Sequence, residues 1–346
     1  MTDLKKLHML ISAEIEKVDV SSLWPGFLPL RFALYTESEC CLDGEYIEKT
    51  SAFCANTSIE YEGEQIAIWN VMEELEPEVL ASKIVHEMFH GFQNKRGWNC
   101  FPDEVEALMR YRNDPLLLSA KLCENRLLLE LLDRPDDEKL ERLLSIRRER
   151  LRRFPFETEY EAKTEQLEGS ANYVEWKALS RLAPERAAAL VEDMRAKLTD
   201  PRALLPARIP CYYSGALLID ALLKAGRYDP EAAKTPFTLE LLKGAEADGT
   251  SLNGLFLPEA AEALESYDAQ TERMIKAALE RGEKLLDGPL TLVCPNIYNA
   301  RRWGDYITSS YFLIYAEGDE NKIVYGDFVV GMKDERTIDA VWKTVG

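Results

Sequence analysis

Ala81-Ser82-Lys83-Ile84-Val85-His86-Glu87-Met88-Phe89-His90-Gly91-Phe92-Gln93 carries two of the three histidines in the chain, four residues apart. On a helix, positions i and i+4 share a face, so both imidazoles can reach one metal ion at about 2.0 Å each. Glu87 lies beside them, where it can take a proton from an activated water. The helix itself is legible, because Ala81, Ile84, Val85, Met88 and Phe92 recur at helical spacing. Gly97, following Lys95-Arg96, marks its end. Three histidines scattered at random would place a pair at this spacing about 2% of the time. The plainer reading is a pair of half-buried histidines on an amphipathic helix. The motif favours a helix-borne metal site.

Outward from this segment the chain divides by composition. Residues 3–18 read as a helix that Trp24-Pro25-Gly26 breaks. Strand-like runs follow at 31–35, 52–61 and 65–71, the last two joined by a Glu62-Gly63-Glu64 turn. After Pro77 the pattern is helical, with candidates at 78–95, 103–112, 115–132, 136–153, 157–181, 185–198, 210–225 and 258–286. From Asp287-Gly288-Pro289 onward, β-branched and aromatic runs at 290–294, 306–315 and 322–332 predict strands, with a hairpin at Gly318-Asp319-Glu320-Asn321 and a short closing helix. The expected fold class is α+β and predominantly helical. Its parts are an α/β lobe over 1–113, a helical lobe over 114–287 and a small β-rich C-terminal module over 288–346.

The 346 residues carry a net charge of −19, so a phosphate backbone would be repelled without a local basic patch. The one basic run, Arg147-Arg148-Glu149-Arg150-Leu151-Arg152-Arg153, is interleaved with acid and reads as a solvated face or an intramolecular partner for the acidic surplus. Neither a nucleic-acid partner nor a membrane partner is expected, since no apolar run approaches the ~18 residues of a membrane span. The first ten residues cannot form a secretory apolar core, and the seven cysteines are odd in number and scattered. These features predict a cytoplasmic chain with reduced thiols.

A catalytic zinc needs three protein ligands and one open position. Beyond His86 and His90 only His8 remains, with no motif around it, so the third ligand is expected to be a carboxylate. Thr158-Glu159-Tyr160-Glu161 reads as a capping box opening a helix on which Glu161, Glu165, Glu168 and Asn172 share one face. A solvated acidic face is the alternative for Glu161 and Glu165. For Glu168, small Gly169 and Ala171 leave room for the metal-bearing helix to approach. Asn172, one turn on, is a candidate to orient a histidine ligand.

Gln166-Leu167-Glu168-Gly169-Ser170-Ala171-Asn172-Tyr173-Val174-Glu175 resembles the "E-G-x-A-x-Y-V" helix of gluzincin-type metallopeptidases, and His86 to Gln93 resembles their metal helix. The resemblance implies a zincin-like two-lobe fold, one Zn2+ per chain held by His86, His90 and Glu168, and Glu87 as general base. It also implies that the strand before the metal helix, 65–70, is an edge that pairs with extended peptide substrate. Tyr212-Tyr213-Ser214-Gly215-Ala216-Leu217-Leu218 resembles the "Y-x-x-G-A" helix start of the aminopeptidase branch, which implies Tyr212 as oxyanion donor; two interior tyrosines are the alternative. The gap from His90 to Glu168 is long for that clan, and no "G-x-M-E-N" segment is present, which weakens an exopeptidase assignment. The expected activity is zinc-dependent hydrolysis of peptide bonds in a peptide or protein substrate. The rival readings are a binding or regulatory protein with a structural zinc, and a small-molecule amidohydrolase.

Overall fold

The computed structural model describes residues 3–98, 100–231, 236–242 and 251–344. Its N-terminal part packs two helices against one mixed sheet. Helix α1 (Leu4–Glu16) is capped by the Asp3 carboxylate, which accepts from the Lys6 amide. Strands β1 (Phe32–Tyr35), β2 (Cys40–Leu42), β3 (Glu45–Ile47), β4 (Thr57–Tyr61) and β5 (Glu64–Asn70) form a five-stranded sheet in the order β3-β2-β1-β5-β4, with β1 and β5 parallel. The β2–β3 hairpin turns on Asp43-Gly44, both with positive φ. Neither strand is anticipated from the residue pattern, since each has only three residues.

Side chains alternate across this sheet. Phe32, Leu34 and Ala67 join the main core, while Ala33, Tyr35, Ile66 and Ile68 close a second, smaller cluster. The expected strand over 52–61 is real only from Thr57. The expectation that 65–70 forms the edge is corrected: β5 lies between β1 and β4, and β4 is the edge strand.

Helix α2 (Pro77–Lys95) begins with proline at its first turn and ends where Gly97 takes a φ of 67°. It lies against the sheet, and Gly91 is what permits the contact: a Cβ there would meet Leu30 Cδ1 at 2.4 Å and Ser58 Oγ at 2.9 Å. Helices α3 (Glu104–Arg110), α4 (Pro115–Asp133) and α5 (Asp137–Arg153) follow. Then α6 (Pro155–Thr164), a π turn (Glu165–Gly169) and α7 (Ser170–Leu182) run on continuously. The anticipated capping box at Thr158 is not the start of this segment. Pro155 takes the first helical position, its fixed φ already helical, and Thr158 is interior and buried. Helices α8 (Pro184–Thr199), α9 (Arg208–Lys224), α10 (Phe237–Leu242) and α11 (Pro258–Arg281) complete the helical part. One hydrophobic cluster extends from Leu4 to Ala260, through both the sheet region and the helices.

The helix expected to reach 286 stops at Arg281. Gly282 sits so close to backbone that a Cβ would meet Ala278 O at 2.3 Å and Lys343 O at 2.7 Å, and Glu283 onward is captured as a strand. That strand, β6 (Glu283–Pro295), joins β7 (Arg302–Trp303), β8 (Tyr306–Ser309), β9 (Phe312–Glu317), β10 (Glu320–Tyr325), β11 (Phe328–Met332) and β12 (Thr337–Lys343). Their order is β10-β9-β6-β12-β11-β8-β7. The β9–β10 hairpin turns on Gly318-Asp319 as the residue pattern anticipates. The closing helix is corrected to β12, because Thr337–Lys343 pairs antiparallel on both sides, with β11 and with β6. Val105 and Met109 of α3 are buried in the core of this second sheet.

Candidate metal centre

Helix α2 presents its two histidines on one face, one turn apart, with His86 Nε2 and His90 Nε2 3.1 Å from each other. The π turn brings Glu168 to them: its Oε2 lies 3.4 Å from His90 Nε2 and 3.8 Å from His86 Nε2. An ion bound tetrahedrally at about 2.0–2.1 Å needs donor atoms about 3.3 Å apart, which these spacings approach. The three residues offer ligand atoms that all lie within 4.8 Å of one another. His86 and Glu168 are buried.

Each ligand is fixed from behind. His86 Nδ1 pairs with Glu175 Oε2 at 3.0 Å and His90 Nδ1 with Gln93 Oε1 at 2.8 Å. Both acceptors take the proton on Nδ1, so Nε2 is the nitrogen that each imidazole turns toward the shared point. Gln93 in turn donates to Leu167 O at 2.8 Å and to Ser170 Oγ at 2.9 Å, tying α2 to the π turn. Arg208 Nη2 donates to Glu168 Oε1 at 2.8 Å, so the other carboxylate oxygen is the one facing the histidines. Arg208 also pairs with Glu104 and donates to the Tyr212 hydroxyl at 3.3 Å. The donor set of two imidazoles and one carboxylate, with oriented outer partners, suits a divalent transition ion.

Charge at the centre follows from burial and proximity. Burial opposes a charge on His86, but Glu168 and Glu175 outweigh it and hold the imidazole up at about 10. Against the same burial, His86 and Lys83 draw Glu175 down to about 2. Glu168 is held well below the usual carboxylate range, because the charges of His90 and His86 prevail over burial. Glu87 moves the other way, raised foremost by burial. Its carboxylate lines the cleft and has no hydrogen-bond partner among the described residues.

The cleft in front of these groups has an empty volume of about 1040 Å³ and is bordered by Asn56 and Thr57 at the start of the edge strand. Tyr212 and Tyr213 both line it. Tyr212 shares Arg208 with Glu168, while the Tyr213 hydroxyl accepts from Lys197 Nζ at 3.2 Å on the far side. Burial, and then Glu168, push the Tyr212 hydroxyl far up, so it keeps its proton. Tyr298 reaches the cleft from the loop after β6.

The remaining carboxylates of the predicted acidic face do not face solvent. Glu165 takes a two-pronged pair from Arg147 at 2.6 and 2.8 Å and a hydrogen bond from Ser214 at 2.8 Å. Glu161 pairs with Arg150 and with Lys121 Nζ at 3.0 Å. The basic run on α5 is therefore partly an internal partner: Arg147 and Arg150 are buried, and Glu124 completes the cluster at 3.1 and 2.9 Å. Two further expectations need correction. Asn172 lines the cleft but bonds neither histidine; Glu175 and Gln93 do that work, both inside segments singled out by their sequence. Gly169 makes room not for α2 but for α9, since a Cβ there would meet Gly215 Cα at 2.6 Å. Arg208, Glu104 and Tyr298 carry no signal in the residue pattern.

Comparison with protein-family models, with curated protein sequences and with solved structures finds no match. Among the described residues, Cys40, Cys41, Cys54, Cys123, Cys211 and Cys294 form no disulfide, and no helix is long and apolar enough to cross a membrane.

Proposed function

We propose that this chain is a zinc-dependent metallopeptidase of gluzincin type, with a zincin-like arrangement of edge strand, metal helix and glutamate helix. The observation that carries the reading is an unbonded Glu87 carboxylate beside three converging donors, all opening on one cleft. A purely structural ion would need no such open face and no spare base. His86 and His90 through Nε2, and Glu168 through Oε2, would hold one zinc per chain. When bound, zinc supplies a Lewis acid that polarises a carbonyl oxygen and acidifies a water.

The protein's own groups then divide the work. Glu87 accepts the proton of the attacking water and delivers it to the departing amide nitrogen, so the peptide C–N bond breaks as a C–O bond forms. Tyr212, which keeps its proton, donates a hydrogen bond to the oxyanion that develops on the carbonyl. The free edge of β4, beside Asn56 and Thr57 in the cleft wall, offers backbone groups to an extended peptide.

Metal analysis and turnover test this together. The purified protein is expected to contain about one zinc per chain, as a three-ligand mononuclear site requires, and His86→Ala or His90→Ala to remove it. Glu87→Gln is expected to keep the zinc and lose cleavage of a peptide library, because the amide cannot accept the proton. Full zinc in either histidine variant overturns the site; wild-type cleavage by Glu87→Gln overturns the base.

A further inference from the structure

A second cavity, with an empty volume of about 590 Å³, lies between α3, the start of α9, α11 and the loop joining β6 to β7. Its walls include Tyr111, Tyr160 and Tyr267 and three arginines, Arg208, Arg301 and Arg302. The one acid in the lining, Glu104, is already engaged: Arg208 pairs with it and the Tyr160 hydroxyl donates to it at 2.9 Å.

Arg301 is different. It has no carboxylate within ion-pair distance among the described residues, although the chain holds 61 Asp and Glu for 42 Lys and Arg. Its guanidinium stacks over the Tyr267 ring at 4.4 Å. Stacking uses the face of the guanidinium and leaves its edge N–H groups for a ligand in the same plane. Two N–H groups of the lining residues, Arg301 Nη1 and Arg208 Nε, are buried and have no protein acceptor. The Nε atoms of Arg147, Arg148 and Arg150 are likewise without an acceptor, but those guanidinium groups and Arg208 each have a carboxylate partner. Arg301 lacks both among the described residues, and the group that satisfies a planar guanidinium edge best is a planar oxyanion.

We propose that this cavity is a binding site for a small carboxylate carried on a flat, aromatic body, gripped by Arg301 and packed against the Tyr111 and Tyr160 wall. The site is separate from the metal centre, although Arg208 borders both. A bound carboxylate would supply the acceptor that the Arg301 edge lacks, and the aromatic body would lie against the Tyr111 and Tyr160 side of the cavity.

Calorimetric titration of the full-length protein with benzoate, its neutral isostere benzamide and inorganic phosphate, at fixed ionic strength, decides the matter. Benzoate is expected to bind at least about 10-fold more tightly than benzamide, the scale of one charge-assisted hydrogen bond. Arg301→Gln should erase that preference, and His90→Ala should leave it intact, which excludes capture of benzoate at the metal centre. Equal binding of benzoate and benzamide, no benzoate binding at millimolar concentration, or a preference that survives Arg301→Gln would each overturn the proposal. Phosphate binding more tightly than benzoate would overturn the carboxylate assignment. Should Arg301→Gln fail to fold, Arg301→Lys serves in its place: it keeps the charge but not the planar fork, and undiminished benzoate affinity in it overturns the role given to the guanidinium.

Discussion

Tyr212 and Tyr213 are neighbours on α9, yet their hydroxyls meet different partners, Arg208 in one case and Lys197 in the other. On the proposed mechanism only Tyr212 donates to the oxyanion. Tyr212→Phe should therefore retain fold and zinc and lower kcat by about 10²-fold, the usual cost of one such donor. Tyr213→Phe should stay near wild type; steady-state kinetics of the two variants that show the reverse ranking would transfer the role to Tyr213. At this scale the sequence discloses what is local. The histidine pair and Glu87 follow from spacing along one helix. Glu175 and Gln93 sit in the same legible segments, but an outer partner has no fixed spacing from the ligand it orients. Arg208 meets Glu168, and Tyr298 the cleft, only through tertiary packing, so no window of residues announces them.

Among the elements, the segment from α6 to α7 decides the geometry of the centre. Its π turn adds one residue to a helical turn, and this lets Glu165 face Arg147 while Glu168 faces the histidines. The two glutamates should therefore fail in different ways. Glu165→Ala leaves Arg147 without its two-pronged partner and is expected to cost about 3–5 kcal/mol of stability, as for other broken buried pairs. Glu168→Ala should weaken zinc binding by orders of magnitude with a smaller effect on the ion-free protein. Urea unfolding and zinc titration of both variants separate these outcomes, and tight zinc in Glu168→Ala would remove it from the ligand set. Gly169→Ala forces a methyl group against the Gly215 backbone. It should destabilise by about 1–3 kcal/mol, the scale of overpacking, and an unchanged unfolding midpoint would refute the close approach of α9. Helices of this length are readable from their 3.6-residue period. Three-residue strands such as β2 and β3 offer too few residues for a period, although Asp43-Gly44 is a hairpin turn pair. β12 shows the opposite case, where pairing on both sides overrides a local helical pattern.

For the molecule as a whole, an acidic surplus on the outside coexists with a buried cluster in which Arg147, Arg150 and Lys121 meet Glu124, Glu161 and Glu165. Burial alone would raise Glu161, but Arg150 and Lys121 outweigh it and hold it at about 2. A carboxylate depressed in the folded state stabilises fully above its unfolded value and loses that contribution as pH falls toward the folded one. The urea midpoint should accordingly drop between about pH 5 and pH 2, and Glu161→Gln should flatten the drop. A midpoint as steep with pH in that variant as in the wild type would show that other carboxylates dominate. The groups around the metal centre are drawn from β4, α2, the π turn, α7, α9 and the loop after β6, so the contacts that make it join residues far apart along the chain. Such contacts are slow to form, because each closes a long loop before it gains any stability. A chain folded only as far as α2 owns two histidines and nothing to complete them. Competence to hold an ion thus depends on the distant parts of the chain having docked, and ion binding would report that docking.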